Sequence, residues 1–418
     1  MKHNRTNLEK LQQHPTPQSE IGAGTGDNSP RGQITESDLT IQLSVFSRPA
    51  EIQDEWMQFE QQLMAGHSNS NWALAWYAAQ EVHQTASPYI LVGRNDQGRI
   101  CFILPLELAR VGTMKVLRLP GANQATYCGG LFDKDILSLI ENGKGHAFWQ
   151  AVFAGVGEVD AIVLEGISQQ RNEKHHPFNC LPLSSAAHDS MQMAIQKDWP
   201  TQYQSMFDGK SRSNDRRVER RLAEMGKLSH LVANSRAERL QLLEVMLAQK
   251  AIQFEMLNFS NPYSAPGVAN FYRNLINQDA MHAESSLYVS GMMLADRPLA
   301  VNFGVIQNSE LQGLITSMTS CELRRFSPGR LLMIHTNRHL SDNGVNCHDF
   351  GMGEFGYKQE WCDIHVKRQL AMVPFTLPGR AYVLSQKVIQ AVKSTLNEHP
   401  ALKHRLKRLT NNAPQAKK

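Results

Sequence analysis

Three strand-like runs joined by two tight turns most constrain the fold of this chain. Residues 287–294, 299–306 and 311–317 are rich in apolar and β-branched residues, and Asp296-Arg-Pro298 and Gln307-Asn-Ser309 separate them. Connections this short join antiparallel neighbours, so the three runs read as a meander. Residues 330–342 follow as a helix closed by Asp342-Asn343-Gly344, and Val345-Asn-Cys-His348 reads as a short buried strand. Next comes Asp349-Phe-Gly-Met-Gly-Glu-Phe-Gly-Tyr-Lys-Gln-Glu-Trp361, a glycine-rich run carrying Asp349, Glu354, Tyr357 and Lys358. A helix start beside a loop of ionisable groups suits an anion site next to a reaction centre.

The first half follows a similar plan. Residues 39–46 alternate like a strand, and helical segments carry Trp56, Phe59, Trp72 and Trp76. Residues 89–92 and 100–106 form a hairpin about the turn at 95–98. A strand at 115–119, a helix within 136–156 and a buried strand at 159–166 complete it. In the second half, helices are expected over 210–227, 236–258 and 267–278. Both halves thus read as helices, antiparallel strands, a helix, then a strand ending in an acid and a glycine. This is the pattern of an internal duplication in an α/β (α+β) layer fold.

At 418 residues the chain exceeds one ordinary core, so two domains with tails are expected. Residues 1–38, poor in aromatics and rich in Gln, Asn, Ser, Gly and Pro, read as a disordered tail. The domains are expected at 39–190 and 191–380, with a basic helix or tail over 381–418. No apolar run is long enough to span a bilayer, and the N-terminus has no apolar signal-peptide core. Six scattered cysteines without a CxxC pair fit free thiols in a cytoplasmic protein. A net charge of +4 does not by itself imply a nucleic-acid partner.

Arg324-x-x-Ser327-x-Gly329 opens the helix at 330, and small residues there let a phosphate approach the first-turn N–H groups. Arg324, Arg325 and Arg330 add positive charge; solvated arginines at a Ser-Pro-Gly helix start would look the same. A carboxylate of the glycine-rich run could deprotonate an amine and its phenol could protonate a thiolate, although charged tips of an ordinary turn read equally well. The run 210–227 holds seven basic residues, with Val218, Leu222 and Met225 marking a buried face. His335 and His339 have helical ligand spacing but lack an HExxH glutamate or a third partner, so no metal is expected. The tail's basic residues and its stripe of Leu402, Leu406 and Leu409 leave room for weak peripheral contact with anionic lipid.

Three motifs carry a resemblance: Lys210-Ser-Arg-Ser-Asn-Asp-Arg-Arg-Val-Glu-Arg-Arg-Leu-Ala-Glu-Met-Gly226, Phe326-Ser-Pro-Gly-Arg-Leu-Leu332, and the run 349–361. Together with Asn71-Trp72, Leu104-Pro-Leu106 and Leu119-Pro-Gly121, they resemble the cellulose-biosynthesis-associated branch of the GNAT acyltransferases. The resemblance spans about 70–375. It implies tandem GNAT-like domains, each a mostly antiparallel mixed sheet flanked by helices, similar to the Fem-type aminoacyl transferases. It also implies transfer from acetyl-CoA or another acyl-CoA to an amine. The family's pyrophosphate loop falls on Arg324, Ser327 and Gly329, with Ser327 standing where the family has its first glycine. Asp349, Glu354, Tyr357 and Lys358 carry over as site-lining positions, with Asp349 or Glu354 as base and Tyr357 as acid. The alternatives are a Fem-like transferase docking aminoacyl-tRNA on the 210–227 helix, and a non-catalytic accessory protein of polysaccharide assembly.

Overall fold

The computed structural model describes residues 32–36, 39–63, 69–83, 86–124, 129–168, 177–279, 286–352 and 356–398. The first half contains strands β1 (Gly32–Glu36) and β2 (Leu39–Phe46), then helices α1 (Gln53–Gln62) and α2 (Asn69–His83). Strands β3 (Ala86–Asn95), β4 (Ile100–Val111), β5 (Met114–Arg118) and β6 (Leu131–Phe132) follow. Helices α3 (Lys134–Leu139) and α4 (Gly145–Ala154) lead to strand β7 (Ala161–Ser168). Strands β8 (Leu183–Ser185) and β9 (Ser190–Ala194) bridge to helices α5 (Trp199–Met206) and α6 (Gly209–Met225).

The second half runs through strand β10 (Leu228–Val232) and helices α7 (Arg236–Met256) and α8 (Val268–Asp279). The meander is β11 (Leu287–Leu294), β12 (Arg297–Gln307) and β13 (Glu310–Met318). Helix α9 (Pro328–Asp342), strand β14 (Cys347–Met352) and the single turn α10 (Gly356–Gln359) come next. Strands β15 (Ile364–Val366) and β16 (Arg368–Pro374) precede helix α11 (Leu377–Glu398). The local signals are ordinary: α7 starts on a capping box of Ser235 and Glu238, and α6 starts on Asp208, whose carboxylate accepts from the Ser211 N–H.

The protein is mixed α/β, with two mostly antiparallel sheets flanked by helices. The first sheet runs β1-β2-β3-β4-β5-β7-β16-β8, with β6 on β4, and the second runs β10-β11-β12-β13-β14-β9-β15. Among the described strands each sheet holds one parallel pair, β5 with β7 and β13 with β14. The expected duplication is visible in this topology. In each half a strand, two helices and a three-strand meander lead through helix to a parallel strand.

The first sheet takes a strand from beyond the expected boundary, and β9 starts on the boundary itself. β16 returns from the C-terminal end to pair with β7, and β9 pairs with β14 in the second sheet. A cut at 190/191 therefore does not divide the sheets cleanly. The N-terminal tail also needs a correction: Gly32–Glu36 pairs with β2, while residues 1–31 lie outside the described residues. A strand partner supplies the backbone hydrogen bonds that composition alone does not reveal.

Strand alternation divides the core. In β3, Ile90 and Val92 face one cluster, and Tyr89 and Leu91 face another. The first of these clusters spans both halves, with Trp56 and Trp76 packed alongside Phe271, Tyr272 and Phe303. α2 meets α8 here, and Phe271 stands edge-on to Trp72 and Trp76 at 4.7 and 5.3 Å. The basic helix α6 buries Leu222 and half-buries Val218, but Met225 is exposed, so its buried face is shorter than the spacing predicts. α11 begins before the expected tail and packs Val383 with Val163 and Met372 of the first sheet. The stripe at 402–409 lies outside the described residues. Among the described residues no helix is long and apolar enough to cross a membrane.

Candidate active site

The site starts from a fork in the second sheet. β13 and β14 pair in parallel over Glu310–Cys347, Leu311–His348 and Gln312–Asp349, and β13 then continues to Met318 without β14. Two features at the fork explain why the strands part. The register of β12 on β13 steps from Phe303–Ile315 to Gly304–Gly313, so Leu314 is an extra residue that bends β13. At the apex, a Cβ on Gly313 would stand 3.0 Å from the Asp349 carbonyl oxygen, so only glycine lets the strands meet this closely.

The start of α9 stands over the far end of β13, where a Cβ on Gly329 would lie 3.6 Å from the Met318 sulfur. Ser327 holds φ at +47°, the left-handed region that favours glycine, and its side chain caps nothing. Pro328 has no N–H, and the N–H groups of Arg330 and Leu331 turn back to the Ser327 carbonyl. The Gly329 N–H makes no hydrogen bond among the described residues. Arg324 and Arg325 are exposed and form no ion pair among the described residues.

Arg330 is different. Its guanidinium binds Asp215 of α6 and Glu360, and it lies over the rings of Phe207 and Trp361 at 4.4 and 5.4 Å. It ties α9 to α6 instead of facing the fork.

The glycine-rich run is partly strand. Asp349 is fully buried in β14, where Oδ1 accepts from the Ser190 hydroxyl at 2.6 Å and the Gly351 N–H at 2.6 Å. Its Oδ2 accepts from the Gln192 amide at 2.9 Å. The expectation that Asp349 faces a cleft as a base is thereby corrected, because its two oxygens join the inserted strand β9 to β14. Lys358 is buried as well, donating to the carbonyls of Gly351 and Met352 at 3.0 and 2.8 Å. It ties α10 to the end of β14. Glu354 lies outside the described residues. Trp361 is buried and packs edge-on to Phe207 at 4.9 Å, which pins the end of the run.

Tyr357 stays 45% exposed at the rim. Burial of its surroundings and the Cys362 thiol hold its hydroxyl above the usual value. Its electrostatic influence reaches Tyr263, on the turn Pro262–Ser264, which burial pushes up to about 12.

Sequence reasoning singled out neither of two polar residues on α7, Gln249 and Lys250. Gln249 accepts from the Ser317 hydroxyl of β13 at 2.8 Å and donates to the Pro298 carbonyl, which fixes α7 against the fork strand. The next residue, Lys250, hydrogen-bonds Gln253, and burial pulls its ammonium down to about 8. Burial likewise pulls Lys358 down to about 8, with the charge of Lys250 adding to the effect and Asp349 opposing it. The signal was faint: a lone Gln-Lys step inside an otherwise ordinary helical pattern.

His335 and His339 both flank the His230 ring, at centroid distances of 5.9 and 6.2 Å. His335 pairs with Glu219 at 2.9 Å, and His339 lies against Tyr288 with ring centroids 5.8 Å apart. Among the described residues no group of three or more histidines, cysteines or acids is arranged to hold a metal.

A parallel strand pair thus opens into a fork with a helix start at its open end. Residues 209–359 match the family model of an acetyltransferase (GNAT) domain. No curated protein sequence matches the chain. Among solved structures it is similar to FemX, at 12% identity over 74% of this chain and 92% of that one, with a TM-score of 0.48. It is similar to L-PGS from Bacillus licheniformis at 10% identity, over 82% and 97% of the two chains, with a TM-score of 0.45. A tandem GNAT protein from the clavulanic acid biosynthesis pathway is 11% identical over 80% and 99%, with a TM-score of 0.41.

Proposed function

We propose that the protein is a cytoplasmic N-acyltransferase that binds acetyl-CoA or a longer acyl-CoA in the fork between β13 and β14 and transfers the acyl group to an amine. The observation that carries this reading is the fork itself. It leaves β13 unpaired beyond Gly313 on the β14 side among the described residues, and its open end faces the start of α9. Gly329, with Arg324 and Arg325 nearby in sequence, would take the diphosphate at the positive end of that helix. Backbone N–H groups of β13 beyond the bulge would stabilise negative charge developing on the thioester oxygen.

Lys250 would serve as the base. Its lowered ammonium is neutral in a useful fraction near pH 8, so it can take a proton from the attacking amine. Tyr357, protonated at neutral pH, would return a proton to the departing thiolate. Asp349 and Lys358 would hold the site's geometry, and Glu354 remains a proposed lining residue. The motif resemblance supports a link to cellulose or exopolysaccharide assembly. The exposed face of α11, with Leu377, Leu384, Val388 and Val392 beside Lys387 and Lys393, supports weak contact with anionic lipid.

Calorimetry of the full chain with acetyl-CoA and longer acyl-CoAs tests the reading, followed by an amine-acceptor assay with whichever donor binds. One saturable site is expected; absence of binding by every acyl-CoA overturns it. The Fem-like alternative rests on Arg216, Arg217, Arg220 and Arg221, all exposed on α6. Salt-sensitive retention of tRNA without acyl-CoA binding would select that alternative.

A further inference from the structure

The first sheet has a fork of its own. β5 and β7 pair in parallel at Val116–Ala161, Leu117–Ile162 and Arg118–Val163, and among the described residues the two strands are not paired beyond these positions. A cavity of about 250 Å³ lies there, walled by β4, β5, β7, β16 and α11. That volume equals about eight waters at about 30 Å³ each. It falls below the roughly 300–1,000 Å³ of pockets for drug-sized ligands, so it suits a small molecule better than a nucleotide.

Its lining is polar and not self-satisfied. Glu107 is buried and accepts from the Trp76 indole N–H and from Arg118 at 2.8 Å. The Arg118 Nε is buried without a hydrogen-bond partner among the described residues. Glu165 is half-buried and lies within electrostatic reach of Tyr382, and neither Glu165 nor the Tyr382 hydroxyl nor the Gln386 side chain has a hydrogen-bond partner among the described residues. Two glutamates against one arginine leave the lining one negative charge in excess. A half-buried carboxylate without a partner is costly, and an incoming cation with hydrogen-bonding groups relieves that cost.

We propose that this cavity is a second small-molecule site, which takes a polyhydroxylated primary amine of amino-sugar size and receives its ammonium group on Glu165. The exposed part of the Arg118 guanidinium donates to a ligand oxygen, Tyr382 and Gln386 bond its hydroxyls, and the Trp76 ring forms an apolar wall. The site connects to the interface between the halves, since Trp76 packs edge-on to Phe271 of α8 at 5.3 Å. The proposal does not depend on what the β13–β14 fork binds.

Titration calorimetry of the full chain at pH 7 with glucosamine, glucose and N-acetylglucosamine tests it, with ethanolamine as a smaller amine. Glucosamine is expected to bind at one site at least tenfold more tightly than either neutral sugar. Glu165→Gln should remove that preference, and Gln386→Trp should block binding at the cavity mouth. Both variants should keep the parental thermal midpoint and acetyl-CoA heat. The proposal is overturned if neither amine binds, if the neutral sugars bind equally well, or if folded Glu165→Gln retains the preference. Acetyl-CoA heat measured in the same samples separates this failure from failure of the transferase reading.

Discussion

The Arg330 guanidinium meets Asp215 through two hydrogen bonds, Nε to Oδ1 at 2.8 Å and an Nη to Oδ2 at 3.0 Å. One residue belongs to the start of α9 and the other to the basic helix α6. A fork-to-fork pair of this kind fixes direction as well as distance. The arginine nearest the helix start in sequence is thus spent on holding that helix in place.

Removing one partner should therefore be a stability lesion. Asp215→Ala leaves a largely buried guanidinium without its main carboxylate, at an expected cost of about 3 kcal/mol. Arg330→Lys should lower the thermal midpoint too, because a lysine cannot reproduce the planar pair. Acetyl-CoA binding by folded Arg330→Lys should stay within about threefold of the parent. A large loss of binding at an unchanged midpoint would return Arg330 to the phosphate site.

Gly329 and Ser327 should respond in opposite ways. Gly329→Asp puts a carboxylate beside the open N–H at the start of α9 and is expected to abolish acyl-CoA binding while the fold survives. Ser327→Gly should relieve the left-handed backbone at φ +47° and raise stability by up to about 1 kcal/mol, with binding retained. Normal acyl-CoA affinity in folded Gly329→Asp would show that the diphosphate lies elsewhere.

Asp349 and Tyr357 separate architecture from chemistry. Asp349→Asn replaces one acceptor oxygen with a donor among three donors, at an expected cost of about 2–3 kcal/mol. Tyr357→Phe keeps the ring and loses only the hydroxyl. It should leave the thermal midpoint nearly unchanged and lower turnover by about 10²-fold. Equal turnover of Tyr357→Phe and the parent on a verified substrate would remove Tyr357 from the reaction.

Much of the fold was legible because period and turn chemistry are local. The meander, α7, α8 and α9 follow from alternating or helical apolar spacing and their capping residues. β9 and β16 were not legible, because both are short strands whose partners lie more than 150 residues away in sequence. The same non-locality misled the site reading. Asp349 sits beside glycines, as a mobile catalytic acid would, and only the long-range partners Ser190 and Gln192 reveal that it is a structural acceptor. The helix start after Ser327 was readable because a helix start is a local object. Lys250 was not, since its environment is made by burial against distant elements.

Lys250 carries the pH prediction. Burial sets its folded value at about 8, below the roughly 10.4 of an exposed lysine. Between these values the unfolded chain holds a proton that the folded protein has released, so this residue makes stability rise with pH from about 8 to about 10. Below about 8 both states are protonated, and the cost of the buried charge is fully present. The neutral amine is also the proposed base. With an arylamine acceptor, whose own protonation lies well below this range, kcat/KM should climb through about pH 8 and level above it. Tyr357 remains protonated across that interval and imposes no falling limb. Lys250→Met should lower the rate by about 10²-fold and erase the limb near pH 8. A parental profile that is flat from about pH 6.5 to 9.5 would exclude a base titrating at the Lys250 value.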